Sequence, residues 1–374
     1  MTTVDFLVIG AGIAGASVAS ALVEHGSVVL LEAEDHPGYH ATGRSASIFM
    51  ELHRNITMRA LLRRSFTFLE NSPDGFSEDP ILSARGALFI ARSDQHSSLS
   101  RLVDECVTDS SRIVIGDDHL ALSKHPALRD DYVSACVWNP DAFAIDVHAL
   151  LHGYLRACRR SEGKLMTRER LVTLQRNAGH WIAHTDKSAY HAAVVVNAAG
   201  AWADEVGRLA GARTIGLVPK MRSACIVPVD TMSVDNWPAV GDVDGEFYFM
   251  PESGNLLLSP SEQTTMRPGD VHADELEIAR AVECLEAATS IRVKHKLRRQ
   301  WAGLRSFVGD DLPVVGYDPD VDGFFWLAGL GGDGIKTAPA LARLAAALAM
   351  HRPVPADLLD AGLQQEALSP ERLP

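Results

Sequence analysis

Three glycines and one acid open the chain at a spacing that handles phosphate. Gly10-Ala-Gly12-Ile-Ala-Gly15 follows the apolar run Phe6–Ile9 and precedes an Ala- and Val-rich stretch, Ala16 to His25, closed by Gly26. Gly10 permits a tight turn, Gly12 lets the backbone approach a pyrophosphate, and Gly15 lets helix and strand pack closely. A helix that starts there turns its N–H groups and positive dipole end toward phosphate. Glu32 ends the next apolar run, Val28–Leu31. At that place a carboxylate accepts hydrogen bonds from ribose hydroxyls and repels a 2′-phosphate. A second cluster, Gly331-Gly332-Asp333-Gly334, begins another helix near the C-terminus. Its N-terminus suits the negative charge of a reduced ring. The first motif alone does not separate FAD from NAD.

These residues need strands and helices to hold them. Phe6–Ile9, Val28–Leu31, Ala192–Val196 and Gly323–Ala328 read as strands buried on both faces. Helices follow at Ala16–His25, up to Leu209 after Asn197-Ala-Ala-Gly200-Ala-Trp202, and from about Ile335 to Met350. Three strand, glycine-turn, helix units spread along the chain predict an α/β fold with a discontinuous, Rossmann-like nucleotide-binding domain from residues 1–80, 141–218 and 306–374. Residues 81–140 and 219–305 have a different texture. They predict an α+β substrate domain on a mostly antiparallel sheet, with strands at Ala87–Ala91 and Phe247–Pro251 and one helix, Asp274–Ala288.

Composition narrows the classes. Against 48 Asp+Glu stand 35 Lys+Arg, a net charge of −13 that disfavours nucleic acid and anionic membrane. The basic run Arg292–Arg299 is accordingly a solvated strand edge leading into Trp301. The 5 cysteines are scattered and the histidines lack ligand spacing, so neither a disulfide framework nor a metal site is expected. Phe6 to Val23 carries no charge, but glycines interrupt it and no basic segment precedes it, so no membrane span is expected. The whole reads as a soluble cytoplasmic enzyme.

Taken together, the segments resemble the D-amino-acid oxidase family of FAD-dependent oxidoreductases over nearly the whole chain. The carriers are Gly10–Gly15 with Glu32, Tyr39–Ala46, Val196–Trp202, Trp301–Arg305 with Pro313–Gly316, and Phe324–Thr337. Within the family the chain looks most like the bacterial D-arginine dehydrogenases, a likeness that includes Val218–Ser223 and Leu368–Leu373. The resemblance implies non-covalent FAD, since no cysteine follows Cys284 to tether it. The implied cofactor contacts are Gly10, Gly12, Ile13, Ala14, Gly15, Glu32, Ala33, Arg44, Ser45, Ala46, a strand around Val172, Ala199, Gly200, Trp202, Gly303, Gly331, Gly332, Gly334, Ile335, Lys336 and Thr337.

It also implies a substrate carboxylate clamped by Arg222, Arg305 and Tyr248, the planar arginine fork meeting a carboxylate bidentately. Lys336 stands where sarcosine-oxidase-like relatives bind a carboxylate, and His53 and Glu51 are candidate base or specificity contacts. Where the D-arginine dehydrogenases carry a glutamate for the guanidinium this chain has Ala87, and Ile48, Met50, His53, Ala239 and Gly241 also depart from their pattern. The implied activity is oxidative deamination of an α-amino acid, D-configured and not D-arginine, by hydride transfer from Cα to flavin N5, giving an imino acid that hydrolyses to a keto acid and ammonia. Oxygen or a quinone-type carrier would take the electrons onward. Other readings are an N-methyl or cyclic amino-acid oxidase, a 2-hydroxy-acid dehydrogenase, an amine-oxidising tailoring enzyme, and a non-catalytic flavin-binding subunit.

Overall fold

The computed structural model describes residues 2–106, 112–229 and 233–373. Its first sheet is built from the apolar runs. Lys164–Met166, Val28–Leu31, Thr2–Ile9, Ala189–Asn197 and Phe324–Ala328 lie side by side and parallel, and Val314–Tyr317 closes the edge antiparallel. Alternate residues face opposite ways, and both faces are covered. Phe6, Val8, Leu30, Val196 and Phe325 pack under the helices Ile13–Leu22, Ile56–Glu70, Val147–Arg160 and Gly334–Ala349. Leu7, Ile9, Val29, Val195 and Trp326 meet the hairpin Leu171–Thr185 and the helix Ala203–Ala210. The strands bring the turn after Ile9, Glu32, Ala198–Trp202 and the turn after Ala328 to one sheet end, as a doubly wound fold requires.

Two glycines in the first turn are sterically fixed. Gly10 has φ +98, and a Cβ there would sit 2.6 Å from the Ala198 carbonyl oxygen. A Cβ on Gly15 would come within 1.8 Å of the Gly10 carbonyl oxygen. The first helix therefore starts at Ile13, earlier than its apolar spacing suggests, and ends at Leu22.

The second sheet has nine strands, antiparallel but for Ala239–Asp242 running parallel to Ala87–Ala91. Val218–Val227 is its hub, paired along one edge with Gln300–Phe307 and along the other with Thr264–Thr265 and Asn255–Ser259. One face rests on the helix Glu275–Ala288, capped by the Asp274 side chain. Two helices stand where a sheet was expected to dominate, His96–Cys106 and Asp118–Lys124. In the first, Leu99, Leu102 and Val103 repeat at helical spacing and pack on Val137. The basic run at 292–299 is not a strand. Only Arg298 and Arg299 exchange backbone bonds with Ile226 before the strand begins at Gln300. A small third sheet joins Ile48–Phe49, Phe143–Ile145 and Leu82–Ala84. Among the described residues no helix is long and apolar enough to cross a membrane, and no cluster of His, Cys, Asp and Glu could hold a metal ion.

Candidate active site

A single elongated cavity runs from the first glycine turn to the face of the second sheet. At its near end, Gly12 caps the helix Ile13–Leu22 in an extended conformation. The Ile13 N–H donates to Thr42 Oγ1 at 3.0 Å, while the Gly12 and Ala14 N–H groups engage nothing among the described residues. Those free donors, the dipole and the absent Cβ atoms make a cradle for phosphate. Glu32 accepts the Ala11 N–H on Oε2 and the Glu34 N–H on Oε1, both at 3.0 Å. Burial raises its pKa, and the two N–H donors oppose that rise. The fixed carboxylate keeps lone pairs for a ribose. Glu34, Glu169 and Arg170 line the same end. This shape and donor set fit the adenosine diphosphate part of FAD.

Most residues implied for the cofactor reach this cavity: Gly10, Gly12, Ile13, Ala14, Glu32, Ala33, Arg44, Ser45, Ala46, Ala199, Gly200, Trp202, Gly303, Gly331, Gly332, Gly334 and Ile335 line it. Gly15 does not, being consumed in packing against Gly10. Leu171 lines the wall where Val172 was expected, because strand alternation turns Val172 to solvent at 49% exposure. Thr337 is buried in its helix, its hydroxyl donating to the Asp333 carbonyl.

Arg44 lines the cavity but most of its guanidinium is engaged. It donates to the carbonyls of Tyr39, Val271 and Ala302 and pairs with Asp270 at 2.6 Å. It is therefore an anchor for the segment around Val271 that flanks the cavity, with one Nη2–H of its five donors left over. Asp270 and Val271 carry no recognisable motif, so this partnership is legible only in the fold.

At the far end two half-buried guanidinium groups meet. In the antiparallel pair Val218–Val227 and Gln300–Phe307, Arg222 lies opposite Gly303 and Arg305 opposite Lys220, so both arginines sit on one face as diagonal neighbours. Glycine opposite Arg222 lets the Arg44 side chain pack against that face. Arg222 Nε donates to the Glu262 carbonyl at 2.9 Å, and the Glu262 carboxylate accepts the Ser223 N–H. Burial, then the charge of Arg305, pulls the Arg222 pKa down to about 10. Neither arginine forms an ion pair among the described residues. Tyr248, two strands away opposite Ser259, joins them on the cavity wall. Such a doublet of cations can hold an anion.

Behind the arginines lies an apolar cluster. Ala224, Ala239, Met250 and Leu257 pack with Ala46, Ile48, Tyr248 and Trp301, and of these Ala46, Ala224 and Tyr248 line the cavity. Ala87, opposite Ala239, is 3% exposed and lies off the cavity, and Gly241 stands opposite Tyr248.

Lys336 and His53 are placed differently from expectation. Lys336 Nζ pairs with Asp333 Oδ1 at 2.7 Å and does not line the cavity. His53 Nδ1 accepts the Asn55 N–H at 3.0 Å, which puts the ring proton on Nε2, 3.8 Å from Asp333 Oδ2. With its lone pair engaged and its pKa lowered, first by burial, His53 is a poor base. Glu51 is tied to Arg63. Asp333 is the residue that sequence reading missed. Burial pushes its pKa up, but Lys336, then His53 and Arg305, outweigh this and hold it below the ordinary value. Beside it the Gly334 and Ile335 N–H groups have no partner among the described residues and face the cavity, a donor set that fits the electron-rich edge of a flavin ring.

Comparison with known proteins agrees with this arrangement. The chain matches the family described as FAD dependent oxidoreductase, DAO, over residues 5–348. It is 24% identical over 373 residues to the uncharacterised oxidoreductase YurR of Bacillus subtilis, covering 95% of this chain and 97% of that one. It is also 24% identical to the mitochondrial dimethylglycine dehydrogenase of Rattus norvegicus across 95% of this chain, which spans only 44% of that longer relative. The crystal structure of glycine oxidase from Geobacillus kaustophilus superimposes with a TM-score of 0.85 at 19% identity, covering 98% of this chain and 99% of that one. That last likeness speaks for the fold.

Proposed function

Because the chain belongs to the DAO family of FAD-dependent oxidoreductases, we propose that it oxidises an α-amino acid, D-configured and other than D-arginine, to an imino acid. The observation that carries this reading is the pair Arg222 and Arg305, adjacent on one sheet face with neither in an ion pair among the described residues. Two half-buried cations side by side repel, and a substrate carboxylate relieves that repulsion while accepting the planar donor forks. The Tyr248 hydroxyl adds a donor at the same wall. The D configuration follows the likeness of Val218–Ser223 and Leu368–Leu373 to the D-arginine dehydrogenases. D-arginine itself is disfavoured because Ala46 and Ala224, which line the cavity beside the clamp, offer a buried guanidinium no partner.

FAD, when bound, supplies the acceptor for the hydrogen and two electrons that leave Cα. Gly12, Ala14 and Glu32 hold its phosphates and ribose, and Gly334 and Ile335 donate at the ring end. The arginine pair fixes the carboxylate and so aims the Cα–H bond, which is catalysis by orientation. The amine has to be neutral before that bond breaks, so the rate rises with pH through one ionisation. With the His53 Nδ1 lone pair taken by the Asn55 N–H and His53 off the cavity lining, the amine proton goes to solvent. The imino acid hydrolyses in water to a keto acid and ammonia, and oxygen or a quinone-type carrier takes the electrons onward. An N-methyl or cyclic amino acid is the second reading, favoured by the likeness to dimethylglycine dehydrogenase.

The test is bleaching of the flavin band without oxygen, using D- and L-amino acids, N-methyl amino acids and 2-hydroxy acids. Bleaching by the D series alone is the expected result. Bleaching by N-methyl substrates alone would favour the second reading. No bleaching by any of them, with dithionite still effective, would point to a larger amine or a non-catalytic flavin subunit.

A further inference from the structure

Lys336 is a third cation, set behind the far end of the cavity next to the lining residues Gly334 and Ile335, and whether a substrate can use it depends on Asp333. We propose that Asp333 restricts the clamp to monocarboxylate substrates by occupying Lys336, so that a second substrate carboxylate finds no cation. This inference rests on the reading of Arg222 and Arg305 as a carboxylate clamp. Three observations carry it.

The first is geometric. Lys336 Nζ lies 2.7 Å from Asp333 Oδ1, within the first turn of one helix, and the Lys336 side chain is only 16% exposed. Two of its neighbours in that turn, Gly334 and Ile335, do line the cavity, so the ammonium group is close to the site but turned into the pair. His53 approaches the other carboxylate oxygen at 3.8 Å and closes that side. Asp333 is also coupled to the clamp. A Cβ on the preceding Gly332 would come within 3.2 Å of an Arg305 guanidinium nitrogen, and Arg305 acts on the Asp333 charge.

The second is the charge balance. Arg222, Arg305 and Lys336 carry three positive charges, and Asp333 and Glu262 carry two negative ones. His53 is neutral in the arrangement described above. One net positive charge is matched by one substrate carboxylate with a neutral amine. A second carboxylate would leave the half-buried site negative, which is costly where water is partly excluded. The third is the lining beside the clamp, where Ala224, two residues beyond Arg222 on the same strand face, and Ala46 offer no polar group to a charged end of either sign.

The experiment is calorimetric titration of the FAD-loaded protein with three non-oxidisable five-carbon acids: pentanoate, glutarate and 5-aminopentanoate. Pentanoate is expected to bind at least ten-fold more tightly than either of the others. Asp333→Asn frees Lys336 and should raise glutarate affinity at least ten-fold relative to pentanoate, and adding Lys336→Met should abolish that gain. Glutarate or 5-aminopentanoate binding as tightly as pentanoate to the unaltered protein would overturn the proposal, even if Asp333→Asn fails to hold FAD. So would an unchanged glutarate-to-pentanoate ratio in a well-loaded Asp333→Asn protein. Both of those results leave the clamp itself intact. Heat from none of the three acids would instead overturn the clamp reading, and this proposal with it.

Discussion

The two ends of the cavity are made of different material. The end near Glu32 is built from backbone: N–H groups of one tight turn and one helix start, contributed by residues that are neighbours in the chain. The end near the arginines is built from side chains carried by separate segments, Arg222, Tyr248, Arg305 and Asp333, and its charges are incompletely paired. Backbone donors are fixed once the turn forms, whatever the neighbouring side chains are. Side-chain charges answer to their surroundings, so their roles are decided by which partners the fold brings up.

That contrast can be broken at either end. The largest effect is expected at the backbone end, where Gly15→Val forces a branched side chain onto the Gly10 carbonyl oxygen that a bare Cβ would already meet at 1.8 Å. The expected outcome is soluble protein without flavin, or no soluble protein, read from the visible absorbance of the purified chain.

The side-chain end is also the more acid-sensitive. Below its sheet, on the strand face opposite Tyr248, Phe249 packs against His125, which is fully buried with neither ring nitrogen hydrogen-bonded. Burial lowers its pKa from 6.5 to about 4. The folded state thus resists a proton that the unfolded chain accepts. Stability is fully present above pH 6.5 and falls as pH drops toward 4, by on the order of 3 kcal/mol in total. His125→Phe should flatten that slope in chemical denaturation between pH 7 and 4. An unaltered slope would remove His125 as the cause.

Next come the clamp residues themselves. Arg222→Met and Arg305→Met each remove a charge-assisted hydrogen bond worth about 1.5–3 kcal/mol, hence a rise in KM of roughly ten- to hundred-fold. Flavin content should not change, because neither side chain belongs to the backbone cradle. Loss of flavin in either variant would erase the distinction between the two ends. The smallest effect belongs to the Arg44–Asp270 pair, where Asp270 is half exposed. Such pairs contribute about 0.2–1 kcal/mol, so Asp270→Asn should weaken FAD retention by no more than about five-fold, as measured by equilibrium dialysis.

Ala87→Glu tests the wall. Placed in the sequence it suggests a restored guanidinium partner, but the side chain is buried away from the cavity. The expected result is a destabilised protein with no gain in D-arginine oxidation, because an unpaired buried carboxylate raises the free energy of the fold.

The sequence by itself determined the near end. Gly10, Gly12, Gly15 and Glu32 lie within one strand–helix–strand unit, and the forces that place them act over a few residues: steric exclusion at a turn, helix hydrogen bonding, and burial of apolar runs. The strands at Ala189–Asn197 and Phe324–Ala328 were legible for the same reason. The family likeness pointed to Arg222, Tyr248 and Arg305, yet their convergence depends on the register of strands some 80 positions apart, which no local pattern encodes. Only the tertiary structure decided that Arg44 is engaged by Asp270 and two distant carbonyls, that Leu171 faces the cavity in place of Val172, and that Ala87 lies behind the wall. It likewise decided that Asp333 holds Lys336. A charged side chain's role is set by whichever opposite charge or carbonyl lies within about 3 Å of it, and that neighbour is chosen by long-range packing.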